Sequence, residues 1–536
     1  MANTPPEHWA YLCEAKGVQR YIFDSGPLRE AIGASDLVAG LAAGDGDLIG
    51  RVLGALALTD RVRFSRRAGG AFCLHADDRE ILQRVRALWR LTAAREAPGL
   101  EFAESGPIRA DNEIAALKTA YRSGGAIRDN AAAALPPTGH PFTAFNPRTG
   151  RVVTGLYAYG TDIVPVDGVT AAQRRRAQAL IGDQAACRLD RVAQRFLAEE
   201  NHKKDGLTVV FPRNFEPDEE DEKSNPLFPF IDDDRRIAVI HADLSGLGEI
   251  FRKATDAATG AQGVLDEGKR IESIVVGAAQ AAAATVLLPH CRAWPDAEKP
   301  KQYVMPARPV LLGGDDITIL VRADLALPFA ERLLTEIESR SGRTLSACAG
   351  IAVINAAQPF SMAGALAESL CKYAKKSAKG GRSAPYPSFL AFHVAQSTLR
   401  EEYDAVLERE LTTSNNIIQT GNPYRLGAGD GRKTDDLRAL LHALDAAPAG
   451  RGKLLEVGKL LFGDRQKAEE AFNRWREVVQ AENPEAWKRM EEALRAFAPD
   501  LALPAIVGPV LDALELIDLS AAEHLGAIDD AEGSAP

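Results

Sequence analysis

The sequence predicts an α+β protein with an all-helical C-terminal portion. Between residues 236 and 395, short apolar runs alternate with amphipathic stretches in the order strand, helix, helix, strand, turn, strand, helix, strand, helix. An antiparallel sheet with helices packed on one face suits that order. From about residue 396 the strand pattern almost vanishes. A chain of 536 residues has room for three or four domains, at about 150 residues each.

The organisation follows from local signals. Residues 1–213 hold apolar runs broken by turns, such as Val152 to Tyr159, with a loop expected at Leu135 to Gly139. Residues 214–235 form a linker whose acidic run, Glu216 to Lys223, is expected to be solvated. In the next region, Ile237 to Ala242 reads as a buried strand, and Asp243 to Gly248 turns the chain. Glu249 onward and the Ala-rich Glu272 to Leu288 read as helices. Val310 to Leu312 and Ile317 to Val321 flank Gly313-Gly314-Asp315-Asp316 and predict a hairpin. Ala330 to Arg340 is an amphipathic helix, Leu345 to Ile354 a strand and Ala365 to Lys379 a helix. In residues 396–526, Thr434 to Leu444, Lys453 to Leu461 and Lys467 to Leu494 read as helices, punctuated by Pro484. Residues 527–536 read as a disordered tail.

Composition excludes several classes. The 64 basic and 74 acidic residues leave a net charge of −10. That is no footprint for non-specific nucleic-acid binding by the whole protein, although a local basic groove remains open. Leu501 to Leu519 is broken by Pro504, Pro509, Asp512, Glu515 and Asp518, so no membrane span is expected there or elsewhere. The first ten residues have no apolar core, so no secretory signal is expected. Six scattered cysteines without Cys-x-x-Cys argue against a disulfide framework or zinc ribbon and for a reduced cytoplasm. Histidine pairs at zinc spacing, the Gly-x-Ser-x-Gly elbow and the Walker phosphate loop are absent.

Three carboxylates carry the candidate chemistry. Asp243 ends one strand, and Asp315 and Asp316 sit on a hairpin turn. If those strands are neighbours in an antiparallel sheet, the acids converge at one edge. Mg²⁺ or Mn²⁺ takes one or two carboxylates together with substrate phosphates, and the backbone carbonyl of Leu244 is a further candidate ligand. Gly313 and Gly314 lack side chains and leave room for a nucleotide near the backbone. Alone, Gly-Gly-Asp-Asp is more simply an exposed turn. A downstream lysine stripe strengthens the functional reading: Lys372, Lys375, Lys376 and Lys379 share one helix face, with Arg382 beyond it. By itself such a stripe is more often a solvated face. His241 alternates onto the same face as Asp243, where packing is its simpler role.

Together these residues resemble the second palm of the large subunit of type III CRISPR effector complexes, and more distantly the GGDEF cyclases. The resemblance rests on Ala242 to Gly248, on Arg308 to Asp316, and on Leu345 to Val353 followed by Cys371 to Lys375. Gly17 to Phe23 with Leu28-Arg29 and Gly33 to Ser35 resemble that family's first palm, and Thr420 to Tyr424 the start of its helical tail. The resemblance implies two tandem ferredoxin-like palm domains and a helical C-terminal domain. It implies a synthase of cyclic nucleotide messengers from ATP or another nucleoside triphosphate. Asp243 and Asp316 would be metal ligands, and Asp315 a ligand or a contact to the attacking hydroxyl. Gly246, Gly313 and Gly314 would lie along the nucleotide, with Lys375, Lys376, Lys379 and Arg382 on the triphosphate.

The first palm differs at its hairpin, where Arg66 to Phe72 carries Ala71 and Phe72 in the places of the acids, so no metal pair is expected there. Glu14 stands near the first-strand acid position. The family's His-Asp nuclease signature and cysteine-rich zinc module are missing. Expected partners are the triphosphate, a downstream effector reached through the messenger, RNA and other subunits of a defence complex, and a second copy of the chain. Two alternatives stand beside the synthase. One is a non-catalytic scaffold of an RNA-guided complex. The other is a diguanylate cyclase, against which Asp316-Ile317 argues weakly.

Overall fold

The computed structural model describes residues 8–44, 46–129, 142–159, 162–181, 190–215, 226–231, 234–257, 260–294, 302–314, 316–396, 399–447 and 450–519. The Leu135 to Gly139 loop, the acidic run 216–223, Asp315 and the tail 527–536 lie outside them. In chain order the first half contains β1 (His8–Lys16), α1 (Val18–Phe23), α2 (Leu28–Ala39), α3 (Leu48–Ala55), β2 (Arg63–Ala68), β3 (Ala71–Ala76), α4 (Arg79–Glu96), β4 (Glu101–Glu104), β5 (Ile108–Ala110) and α5 (Glu113–Asp129). Then come β6 (Val153–Tyr159), β7 (Asp162–Asp167), α6 (Gly168–Ile181), α7 (Arg191–Phe196), β8 (Lys203–Lys204) and β9 (Leu207–Val210). The centre holds β10 (Arg236–Leu244), α8 (Leu247–Ala257), α9 (Ala261–Ala282), β11 (Arg292–Trp294), β12 (Gln302–Val304), β13 (Ala307–Gly313) and β14 (Asp316–Arg322). It continues through α10 (Ala326–Arg340), β15 (Ala347–Asn355), α11 (Phe360–Lys379) and β16 (Phe389–Val394). The remainder is α12 (Tyr403–Arg409), β17 (Tyr424–Arg425), α13 (Thr434–Asp445), α14 (Arg451–Leu461), α15 (Arg465–Glu482), α16 (Pro484–Arg495) and α17 (Leu503–Asp518).

Two compact units divide the chain. The first takes residues 1–229, 246–280 and 291–318. Its main sheet has the order β2-β3-β1-β4, with β5 also paired to β1. Glu14 stands opposite Ala71 in the antiparallel β1–β3 ladder. Gly69 and Gly70 have φ of 60° and 77°, the left-handed backbone that a tight hairpin between β2 and β3 requires. Under the sheet, Tyr11, Phe72, Trp89 and Phe102 pack edge to face in a chain, with centroids 5.6, 4.8 and 5.8 Å apart. On the other face, Ala116, Leu117 and Ala120 of α5 cover Ala10, Leu12 and Cys73.

The second unit takes residues 230–245, 281–290 and 319–536. The division runs through β14, in a sheet of order β13-β14-β10-β15-β16-β17. Its first four strands repeat the connectivity of the β2-β3-β1-β4 sheet. β10 pairs antiparallel with β15, placing His241 opposite Gly350 and Asp243 opposite Cys348. The expected purely antiparallel sheet needs correction: β15 and β16 are parallel, because α11 carries the chain back across the sheet between them. A Cβ on Gly350 would lie 2.0 Å from the Ala367 carbonyl oxygen and 2.5 Å from the Cys371 nitrogen, so only glycine lets α11 lie this close to β15.

Three further differences stand out. Asp243 lies inside β10, and the turn starts at Ser245 and Gly246, whose φ of 75° ends the strand. Leu503 to Asp518 forms helix α17 despite Pro504 and Pro509, since Pro504 sits in the first turn and Leu503, Ile506, Val507, Val510 and Leu514 supply a buried face. Residues 261–290 form a stretch long and apolar enough by length and composition to cross a membrane. Its Ile271, Val275, Ala278, Ala279, Ala282, Val286 and Leu287 are buried within the fold, while over half of its most apolar window is not.

Candidate functional site

Strand β10 ends at a cation-binding pair of oxygens. The sequence Ile237 to Ala242 is buried and apolar, which fixes the strand centrally and brings Asp243 to its end. The next residue but one, Ser245, donates its N–H to the Ser346 carbonyl at 2.8 Å and anchors the departing chain. From α11, which Gly350 allows to lie against β15, Lys375 reaches the end of β10. Its Nζ donates to Asp243 Oδ2 and, at 3.0 Å, to the carbonyl oxygen of Leu244. Two oxygens of the predicted metal set therefore converge on one positive charge. Both are hard donors of the kind that Mg²⁺ and Mn²⁺ take, so the residues fit such an ion. Among the described residues no group of three or more His, Cys, Asp or Glu side chains gathers in a metal-binding arrangement.

The other basic residues of the stripe differ in what they hold. Lys372 pairs with Glu368 at 2.6 Å one turn back on its own helix. Lys376 reaches Asp404 at 3.4 Å, with both side chains exposed. Arg382 folds back to donate to the Ser377 carbonyl at 2.7 Å and satisfies the C-terminal end of α11. Lys379 is exposed in the last turn. Lys375 is the one of these that the fold turns onto a predicted metal ligand. His241 is buried, and desolvation drives its pKa down to about 4, with Lys375 and Lys372 acting in the same direction and Glu368 opposing. It is neutral at pH 7, as a packed core histidine would be.

The Gly-Gly turn belongs to the first unit and is held by side chains from far away in sequence. Ser35 on α2 donates its hydroxyl to the Val310 carbonyl. Arg195 on α7 donates to the Leu312 carbonyl at 3.2 Å and pairs with Glu272 on α9. Arg308 forms an ion pair with Asp190, and both are buried. Gly314 has a φ of 65°, and a Cβ there would meet nothing within 4 Å, so its face is open. A Cβ on Gly313 would lie 3.8 Å from the Cα of Gly69, so the two Gly-Gly turns of the first unit meet.

At the corresponding place in the β2-β3-β1-β4 sheet, Glu14 accepts from Arg66 on the adjacent hairpin. Phe72 is committed to the aromatic core. Sequence reading missed Ser35, Asp190, Arg195 and Arg308 as supports of the turn, and it missed the Lys375–Asp243 pair. Nothing in the local pattern signals a contact between residues 132 apart.

No family model matches the chain, and no curated protein matches it. Solved structures do. Csm1 in T. onnurineus matches with a TM-score of 0.50 and 16% identity, covering 96% of this chain and 70% of that one. The apo Csm1-Csm4 cassette matches with a TM-score of 0.50 and 15% identity over the same shares. At such identity the likeness is one of fold: along nearly its whole length this chain has the α+β fold of Csm1, the type III CRISPR subunit that its sequence resembles.

Proposed function

We propose that the chain is a metal-dependent nucleotidyltransferase that joins ATP, or another nucleoside triphosphate, into a cyclic oligo- or dinucleotide messenger in anti-phage defence within the cytoplasm. The observation that carries this reading is the convergence of the Asp243 carboxylate and the Leu244 carbonyl on a single cation at the end of β10. The repeated connectivity supports reading both sheets as palm domains, one degenerate and one active. In the first, the register sets Glu14 against Ala71, the residue after its Gly-Gly turn. Asp243 and Asp315 occupy the corresponding sequence places in the second.

In this reading Asp243, Asp315, Asp316 and the Leu244 carbonyl hold Mg²⁺ or Mn²⁺. The bound metal supplies charge neutralisation at the transferring phosphorus and lowers the pKa of the attacking hydroxyl. The chain's own contribution is position and charge. The open backbone at Gly314 admits the nucleotide, with Gly246 and Gly313 along it, and the α11 lysines with Arg382 offer point charges to its phosphates. A 3′- or 2′-hydroxyl of one nucleotide attacks the α-phosphorus of another, a P–O bond forms and pyrophosphate departs.

Mass spectrometry of products tests the reading, after incubation with the four triphosphates and Mg²⁺ or Mn²⁺. A cyclic product from the wild type that disappears in the Asp315→Ala, Asp316→Ala variant is the expected result; undiminished product in that variant overturns it. The resemblance in fold to Csm1, which forms a cassette with Csm4 in a solved structure, favours a second reading as a non-catalytic scaffold subunit. That reading requires co-purifying partner subunits and RNA, with no product under any condition.

A further inference from the structure

The ammonium of Lys375 occupies the same two oxygens that a divalent ion would take: Asp243 Oδ2 and the carbonyl of Leu244. Both side chains are largely buried, with Lys375 18% and Asp243 28% exposed, so the pair is poorly screened by water. An ammonium held on both of these oxygens competes with a divalent ion for their lone pairs. Two cations brought to adjoining oxygens repel one another strongly. Lys375 sits near the end of a twenty-residue helix held against β15 at Gly350, so its backbone is fixed while its four-carbon stem is free to swing. Lys376 next to it already points away, to Asp404.

We infer that Lys375 is a tethered counter-ion that keeps the Asp243–Leu244 oxygens charge-balanced until a divalent ion displaces it, so that metal entry and release of this lysine are one event. The inference rests on the metal-site reading above and adds a coupling to it. Without metal the lysine is withheld from phosphates. With metal bound, the freed ammonium becomes available to a triphosphate. The apparent metal affinity is then lowered by the fraction of molecules in which the lysine is engaged, and removing the lysine restores it.

The test uses the full chain and Mn²⁺ alone, followed by calorimetry and by the reactivity of lysines towards an acetylating reagent read by peptide mass spectrometry. Lys375→Met should bind Mn²⁺ more tightly than wild type, on the order of tenfold or more. Lys375→Arg, which retains a cation for the pair, should bind as wild type does. In the wild type, acetylation of Lys375 should rise when Mn²⁺ is added. In Asp243→Asn it should be high from the start and indifferent to metal. Equal Mn²⁺ affinity in wild type and Lys375→Met, or an unchanged Lys375 footprint at saturating Mn²⁺, overturns the coupling and leaves the metal site standing. Absence of saturable Mn²⁺ binding in both wild type and Lys375→Met overturns the metal site and the coupling together. A thermal melt of each variant without metal identifies any that fails to fold, in which case Lys375→Gln replaces Lys375→Met.

Discussion

Gly313 and Gly69 face one another: the position a Cβ would take on the first is 3.8 Å from the Cα of the second. The Gly-Gly turn that precedes the candidate acids is therefore packed against the equivalent turn of the β2-β3 hairpin. The distance is ordinary for a carbon contact, so sterics within the chain do not demand glycine at position 313. At Gly314 the demand is conformational, since its φ is 65°.

This separates two substitutions. Gly313→Ala should leave thermal stability nearly unchanged, so any loss of product reports a nucleotide that passes close to that backbone. Gly314→Ala should cost about 1–2 kcal/mol through its left-handed backbone alone. Parallel thermal melts and product assays distinguish them. A strongly destabilised Gly313→Ala protein would show that the two turns press together more tightly than described.

Gly350→Ala should be far more damaging, because its methyl would meet the backbone of α11 at 2.0 and 2.5 Å. The helix must move away from β15, at a cost of about 1–3 kcal/mol or more. Lys375 should then leave Asp243. Denaturant titration reads the first effect, and the acetylation footprint of Lys375 reads the second.

Asp512 predicts a pH dependence. It is buried on α17 and accepts from the Tyr424 hydroxyl at 2.6 Å, the Gly421 N–H at 2.7 Å and the Thr420 hydroxyl at 3.2 Å. Burial raises its pKa from 3.8 to about 6, against the pull of those donors. A carboxyl whose folded pKa is raised contributes stability that is full below its unfolded value and is lost as pH rises through the folded one. This contribution should accordingly fade between pH 4 and about 7. In Asp512→Asn the pH-dependent part should vanish, so the difference in melting temperature, variant minus wild type, should grow more favourable to the variant across that window. A difference independent of pH would contradict the assignment.

Arg66→Ala should destabilise the first unit by about 1–3 kcal/mol, because the mostly buried Glu14 carboxylate would lose the guanidinium that donates to it. Replacing both by Gln and Met should recover most of that loss. Urea unfolding of the single and double variants measures the coupling.

Much of the central sheet was legible in the sequence. The apolar runs at 237–242, 310–312 and 317–321 fall within β10, β13 and β14, and the periodic stretches at 330–340 and 365–379 within α10 and α11. Continuous apolar runs and helical period report local burial directly. Strand β16 was not singled out, although Phe389 to Val394 is buried throughout as those runs are. The parallel partnership of β15 and β16 is a property of the crossover rather than of either strand. Helix α17 escaped because its two prolines are breakers on composition alone, whereas their positions are compatible with a helix packed on a core. Residues Asp243, Gly313, Gly314 and Lys375 stood out from pattern. The partners that hold them, Leu244 apart, come from remote chain segments, and no window of sequence contains both members of such a pair.

Strand β13 closes one end of its sheet, and a terminal strand normally offers its bare peptide groups to any passing chain. Here the helices of the N-terminal portion supply the cover: Ser35 and Arg195 take the Val310 and Leu312 carbonyls, and Pro309 has no N–H to offer. Asp190 neutralises Arg308 beside them. A fragment beginning at residue 236 would retain the candidate acids but would expose this margin and an unpaired buried arginine. Such a fragment should self-associate, so the N-terminal portion serves as a built-in guard against strand addition, apart from any part it plays in handling nucleotides.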